Sequence, residues 1–210
     1  TPVEFGQLMR DIDTLKGNVH DSVLNSIKLL SLLFIRNGDL RRLRWSEVDL
    51  ISAQIDLKPM KGHGASKLRM VKEMIVPLSS QAVKVLKDQK KITGHTDYVF
   101  YSDTATKHHI VNENAANDAL KFLDYQGKHC AHGFRASART MLRHKLKYSL
   151  DVIEQALGHI TRDPNGTAYD RWEFIEERTA MMQHWADYID NLRTEKTDNV
   201  IQMPRSVSTN

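Results

Sequence analysis

An apolar stretch that ends abruptly in a cation constrains this chain more than any other feature of its sequence. Apolar residues recur at helical spacing between residues 19 and 35, and Arg36 follows them directly, just before an Asn-Gly break. The longest apolar run, residues 29–35, is interrupted by Ser31 and is much too short to span a membrane. The pattern predicts a buried helix whose end delivers a guanidinium group to a cleft. The alternative is that Arg36 only caps this helix and pairs with Asp39.

The remaining patterns predict a mainly α fold with a small antiparallel β-sheet, an α+β class. Alternating apolar residues predict strands at 48–57 and 69–76, joined by a connection that carries Lys61. The first four residues form a capping-box sequence with proline at the first helical position. Helices are predicted at residues 1–15, 19–35, 38–45, 79–91, 112–123, 133–146, 150–157 and 172–192.

Composition bounds the class of protein. The chain has 210 residues, 40% of them hydrophobic, which is enough for one large domain or two small ones. A single cysteine, Cys130, excludes an internal disulfide and predicts a reducing compartment, the cytoplasm. The N-terminus does not resemble a signal peptide, and because the chain starts with Thr1 we expect a piece of a longer protein.

Charge is unevenly distributed along the chain. Residues 36–72 hold nine Lys/Arg against four Asp/Glu, and residues 128–147 hold six Lys/Arg and no acid. Residues 173–198 reverse the sign, with seven acids against three bases. Two basic segments and one acidic end are typical of a phosphate-facing surface with an opposite outer face. Solvated helix faces are the alternative interpretation.

Several kinds of chemistry are not indicated. The sequence has no G-x-G-x-x-G, no phosphate-binding P-loop, no H-E-x-x-H and no nucleophile-elbow serine. His129, Cys130 and His132 form the one metal-like group, but a second ligand pair at a usual spacing is missing. We therefore predict neither a metal nor a cofactor.

What remains is an ordered set of cations followed by a tyrosine: Arg36, Lys61, His132, Arg135, His159 and Tyr169. Each of them alone has an ordinary structural explanation. In this order the set resembles the catalytic domain of the tyrosine recombinase (phage integrase) family, particularly integrases of satellite phages and genomic islands. The resemblance covers residues 1 to 192 and rests on segments 36–40 (RNGDL), 44–50 (RWSEVDL), 60–61 (MK), 76–79 (VPLS), 132–136 (HGFRA), 168–171 (AYDR) and 181–188 (MMQHWADY).

The resemblance implies a role for each residue. Tyr169 would attack a DNA phosphodiester and form a 3′-phosphotyrosyl link, without metal or ATP. Arg36 and Arg135 would clamp the phosphate oxygens. Lys61 would protonate the leaving 5′ oxygen, and Lys67 or Lys72 could replace it. His132 would assist proton transfer at Tyr169, whereas His159 would donate a hydrogen bond to the phosphate.

The resemblance also implies an organisation and partners. Residues 1–193 would form the catalytic domain, with a C-terminal helix at about 173–193, a disordered tail at 194–210, and the upstream DNA-binding domains missing. The partners would be double-stranded DNA attachment sites, bound by a homotetramer whose subunits are monomeric when free, near the bacterial nucleoid. The apolar stripe of the last helix would pack in the core or on a neighbouring protomer. The alternatives to integration and excision of a mobile element are a degenerate DNA-binding module and type IB topoisomerase-like strand relaxation.

Overall fold

The computed structural model describes residues 1–59, 73–104, 109–159 and 174–194. The helices of this part are α1 (Pro2–Asp13), α2 (Asp21–Leu33), α3 (Asn37–Arg41), α4 (Ser80–Thr93), α5 (Ala115–Phe122), α6 (Gly133–His144), α7 (Leu150–Ala156) and α8 (Ile175–Thr194). The strands are β1 (Val48–Asp49), β2 (Gln54–Leu57) and β3 (Met74–Pro77). The predicted fold class, mainly α with a small antiparallel sheet, is confirmed. Within these residues, the structure contains no helix of the length and apolarity that crossing a bilayer requires.

The three strands form one antiparallel sheet in the order β1-β2-β3. Ile55 pairs with Val48 on one side and with Val76 on the other. The single strand predicted at 48–57 is wrong, because a turn divides it into β1 and β2. The Asp49 carboxylate accepts backbone hydrogen bonds from Ile51 and Ser52 at 2.8 and 3.0 Å, which is the arrangement that favours a turn over a continuous strand.

Helix α1 begins as its sequence predicts. The Thr1 hydroxyl accepts a hydrogen bond from the backbone N–H of Glu4 at 3.3 Å, and the Glu4 carboxylate binds back to Thr1. The helix predicted at 38–45 is shorter than expected. It ends at Arg41, and the chain then forms a 3-10 turn at Trp45–Glu47, where the Trp45 N–H donates to the Asp97 carbonyl at 3.0 Å.

Helices α2 and α8 form the centre of the core. Leu29, Leu30 and Leu33 on α2 are fully buried, and Trp185 on α8 packs edge-on against Phe34. The apolar stripe of α8 therefore lies in the core of its own chain, which is one of the two arrangements that its sequence allowed. Thr194 still belongs to α8, and the rest of the predicted tail, residues 195–210, lies outside the described residues.

Candidate active site

Arg36 emerges where two helices meet. Helix α2 ends at Leu33, and Phe34 takes a left-handed conformation (φ 57°) that turns the chain away from the helix axis. Arg36 then occupies the N-cap of α3, with its side chain 35% exposed. Its guanidinium lies 4.0 Å from the carboxylate of Asp39, which is almost fully buried. Arg36 therefore pairs with Asp39, as the alternative interpretation expected, and it lies three residues beyond the end of the buried helix.

Arg135 lies on α6 and is buried, with 6% of its surface exposed. Its guanidinium donates to the carbonyl of Phe34 and, at 2.9 Å, to the carbonyl of Leu157. These carbonyls belong to the C-terminal ends of α2 and α7, where carbonyl groups lack helical partners and the helix dipole is negative. Arg135 therefore joins three helices at one point.

The electrostatic environment of Arg135 is unfavourable for a cation but does not neutralise it. Burial, and then the positive charge of Arg36, lower the pKa of Arg135 to about 10, while Asp39 and Glu154 oppose this change. A guanidinium with a pKa of about 10 remains charged at neutral pH. The site thus holds a desolvated, permanent positive charge.

The two candidate histidines lie beside the arginines. His132 is the N-cap of α6, and its pKa is lowered by partial burial and by the positive charges of Arg135, Arg36 and His159. His159 follows the left-handed Gly158 after α7. The Nε2 atom of His159 lies 3.5 Å from the guanidinium of Arg135, and its Nδ1 atom lies 2.5 Å from the carboxylate of Glu154.

The structure brings four of the six predicted site residues together from three separate regions of the sequence: Arg36, His132, Arg135 and His159. Lys61 and Tyr169 lie outside the described residues, as do the alternative lysines Lys67 and Lys72. In the part of the chain that is described, no group of three His, Cys, Asp or Glu side chains is arranged to hold a metal ion.

Sequence reasoning missed one charged group of the site, Glu154. Its carboxylate binds His159 through one oxygen and Arg139 through the other, both at 2.5 Å. Glu154 lies on the short helix α7, five residues before His159, and this spacing is longer than one helical turn, so that the sequence alone does not single out the pair.

Solved structures share this fold. The chain superposes on an integrase from mycobacterium phage Brujita with a TM-score of 0.62 at 15% identity, covering 92% of this chain and 59% of that one. It superposes on the XerA recombinase with a TM-score of 0.57 at 18% identity, covering 90% of this chain and 62% of that one. This chain therefore shares its fold with these two proteins.

The sequence comparisons define the family. Residues 1–165 match the model of the phage integrase family, and the chain belongs to that family. It is 36% identical over 201 residues to the integrase of Enterobacteria phage P4, which covers 91% of this chain. The chain spans 45% of the length of that integrase.

Proposed function

We propose that this chain is the catalytic domain of a site-specific DNA recombinase, which integrates or excises a mobile element. The observation that carries the proposal is the cluster of Arg36, His132, Arg135 and His159 around one point, in a chain of the phage integrase family. A phosphodiester is negatively charged, whereas none of the four side chains of the cluster is an acid. Guanidinium groups bind phosphate oxygens through two parallel N–H donors.

The proposed reaction is a transfer of a phosphoryl group between two oxygens. The phenol oxygen of Tyr169 forms a bond to phosphorus while the bond between phosphorus and the 5′ oxygen breaks. His132 takes the phenol proton, and Lys61 gives a proton to the leaving 5′ oxygen. The phosphotyrosyl bond retains the energy of the original ester, so that the reverse attack by a 5′-hydroxyl reseals DNA without a nucleotide cofactor.

The arginines and His159 stabilise charge during that transfer. Negative charge develops on the non-bridging oxygens as phosphorus becomes pentacoordinate, and Arg36 and Arg135 bind these oxygens in the proposed reaction. Arg135 is held by the Phe34 and Leu157 carbonyls before any substrate binds, so that little reorganisation is needed. These fixed cations supply the positive charge that metal ions provide in other phosphoryl-transfer sites.

The proposed partner is double-stranded DNA carrying the element's attachment site, bound by four copies of the protein. The relatives that this chain resembles include the integrase of a phage and prophage integrases of Escherichia coli, which supports a bacterial, nucleoid-associated setting.

The test is covalent trapping on a denaturing gel, without metal or ATP. The protein, and a longer form that spans the full length of its relatives, are incubated with a nicked suicide duplex of the cognate attachment core. We expect a shifted band that Tyr169→Phe abolishes and that Tyr188→Phe, the matched change on α8, retains. Arg135→Gln should slow band formation by about 100-fold to 1,000-fold, as the loss of one oxyanion donor does elsewhere.

Other outcomes identify other functions. A longer form that binds the core but gives no band would contradict the proposal and support a DNA-binding module without turnover. A band accompanied by relaxation of supercoiled plasmid but no exchange of strands between two attachment sites would support topoisomerase-like activity.

A further inference from the structure

Glu154 links the candidate site to the surface of α6. Its side chain is only 14% exposed and uses both carboxylate oxygens, one on Nδ1 of His159 and one on Nε of Arg139. Burial by itself raises the pKa of Glu154, but the hydrogen bonds from His159 and Arg139 outweigh burial, and the pKa lies below its ordinary value. Glu154 is therefore a carboxylate at neutral pH and can only accept hydrogen bonds.

The contacts on the two ring nitrogens of His159 are compatible with a single neutral form of the ring. A carboxylate on Nδ1 requires a proton on that nitrogen. The neighbour of Nε2 is the Arg135 guanidinium at 3.5 Å, which can only donate, so Nε2 must carry its lone pair. Both contacts thus select the tautomer with hydrogen on Nδ1.

The backbone reinforces this orientation. The N–H of His159 donates to the carbonyl of Glu154 at 3.0 Å, and Gly158 between α7 and the histidine is left-handed. Glu154 therefore contacts both the ring and the backbone N–H of His159, close to the end of α7. A carboxylate on one ring nitrogen sets the tautomer and direction of the other nitrogen.

We propose that Glu154 is a positioning residue, which holds His159 in the Nδ1–H form and directs Nε2 into the cation cluster. The proposal rests on the proposed function for its consequence in the reaction. To donate a hydrogen bond to a phosphate, His159 must gain a second proton at Nε2, and the Glu154 carboxylate stabilises the imidazolium that results. Without Glu154, the imidazolium would form next to the Arg135 guanidinium and without the carboxylate that contacts its Nδ1 atom.

The charged and titratable groups around His159 and its neighbours in the site come from α7, α6, the N-cap of α6, and α3. They are Glu154, Arg135, Arg139, His132, Arg36 and Asp39. Of these groups, Glu154 binds Nδ1 directly. A preference for the Nδ1–H tautomer would therefore indicate the contact with Glu154 and not the combined electrostatic effect of the other charged groups.

The first measurement is the protonation pattern of the His159 ring by long-range proton–nitrogen NMR of the histidine-labelled protein. The chain has ten histidines, and His159→Gln assigns the signal. In the spectrum of the neutral ring, we expect a protonated Nδ1 and an unprotonated Nε2. Glu154→Ala should abolish this preference. The matched control is Arg139→Gln, which removes the other contact of the carboxylate and should keep the tautomer.

The second measurement is the rate of phosphotyrosyl formation at saturating DNA. Removal of a carboxylate that orients a functional histidine typically costs about 10-fold to 100-fold in activity at metal sites. We expect a loss of this size in Glu154→Ala, with DNA affinity changed less than about twofold and an unchanged circular dichroism spectrum. Glu154→Asp should recover part of the rate.

The outcomes separate the two proposals. A wild-type ring protonated at Nε2, or a tautomer unchanged in Glu154→Ala, would overturn the positioning role. A wild-type rate in folded Glu154→Ala would do the same. If the wild-type protein forms no covalent adduct with any DNA substrate, the proposed function fails. The tautomer of the wild-type ring still decides whether Glu154 orients His159. This measurement remains decisive even if Glu154→Ala does not fold.

Discussion

Replacing Trp185 by alanine tests whether α8 is part of the core of its own chain. The Trp185 side chain is completely buried and packs against Phe5 and Phe34, with ring centroids 5.7 Å away in both cases. Its indole N–H donates to the carbonyl of Ser31 at 2.8 Å. That carbonyl belongs to the last turn of α2, where helical partners run out.

The expected loss of stability follows from these contacts. Truncating a buried tryptophan to alanine costs about 3–5 kcal/mol, because contacts are lost and a cavity remains. A single domain is stable by about 5–15 kcal/mol in total. Trp185→Ala should therefore remove about a fifth or more of the free energy of unfolding. Trp185→Phe keeps most of the packing but leaves the Ser31 carbonyl without its donor, for a smaller loss of about 1–3 kcal/mol.

The assay is urea unfolding at two protein concentrations that differ by about tenfold. If α8 packs in its own chain, both variants should lower the unfolding midpoint in the stated order, and the midpoints should not depend on concentration. A loss below about 1 kcal/mol in Trp185→Ala would refute the packing argument. A wild-type midpoint that rises with concentration would instead indicate that α8 stabilises a neighbouring protomer.

Two further predictions concern close packing and pH. A Cβ atom added to Gly6 would lie 2.4 Å from the backbone oxygen of Leu192, so Gly6→Ala should lower the melting temperature by separating α1 from α8, at a cost of about 1–3 kcal/mol. Gly38→Ala, whose Cβ would meet its nearest atom at 3.9 Å, should leave the melting temperature nearly unchanged or raise it. Burial lowers the pKa of His129 from 6.5, so the unfolded chain binds more protons in acid and the free energy of unfolding should fall as the pH drops below 6.5. His129→Leu should weaken that fall in urea titrations across the same range, and an unchanged slope would contradict the argument.

Local patterns predicted the elements that depend on local causes. The Thr1–Glu4 capping box formed as expected, and Ser79 caps α4 with a hydrogen bond to the N–H of Ala82 at 3.2 Å. The buried run at residues 29–35 placed Arg36 at the edge of the core, because a cation that follows a buried run needs solvent or a partner.

Element boundaries were predicted less well, because hydrogen bonds between distant residues decide them. Helix α3 stops at Arg41 partly because the next segment is bound elsewhere: the Val99 N–H donates to the Leu43 carbonyl at 2.9 Å. The turn between β1 and β2 depends on the single carboxylate of Asp49. In the alternating pattern of the sequence, Asp49 is simply one more polar position of a strand, so the pattern does not predict the turn.

The sequence predicted which residues belong to the candidate site, but it did not predict the contacts that hold their side chains in place. The contacts that hold Arg135 are backbone carbonyls of Phe34 and Leu157, and every residue carries a carbonyl, so side-chain identity gives no signal for them. Glu154 is a side chain, yet it is one of 26 acids, and only the fold shows that it faces His159. Family resemblance identified the groups expected to contact the substrate, and the structure was needed to identify what holds them.

If the proposed reaction takes place at this site, the charge balance of the site would favour the transition state over a bound phosphate. The positive charges of Arg36 and Arg135 repel each other. Burial, and then these positive charges, lower the pKa of Arg135 and of His132. The nearby carboxylates of Asp39 and Glu154 are each engaged with cations of the cluster. A phosphodiester brings one negative charge, and pentacoordination places more charge on the same oxygens. In the proposed reaction, each increment would relieve the repulsion that folding has already imposed, so that the interaction would strengthen as the reaction proceeds, which is the condition for catalysis by differential binding.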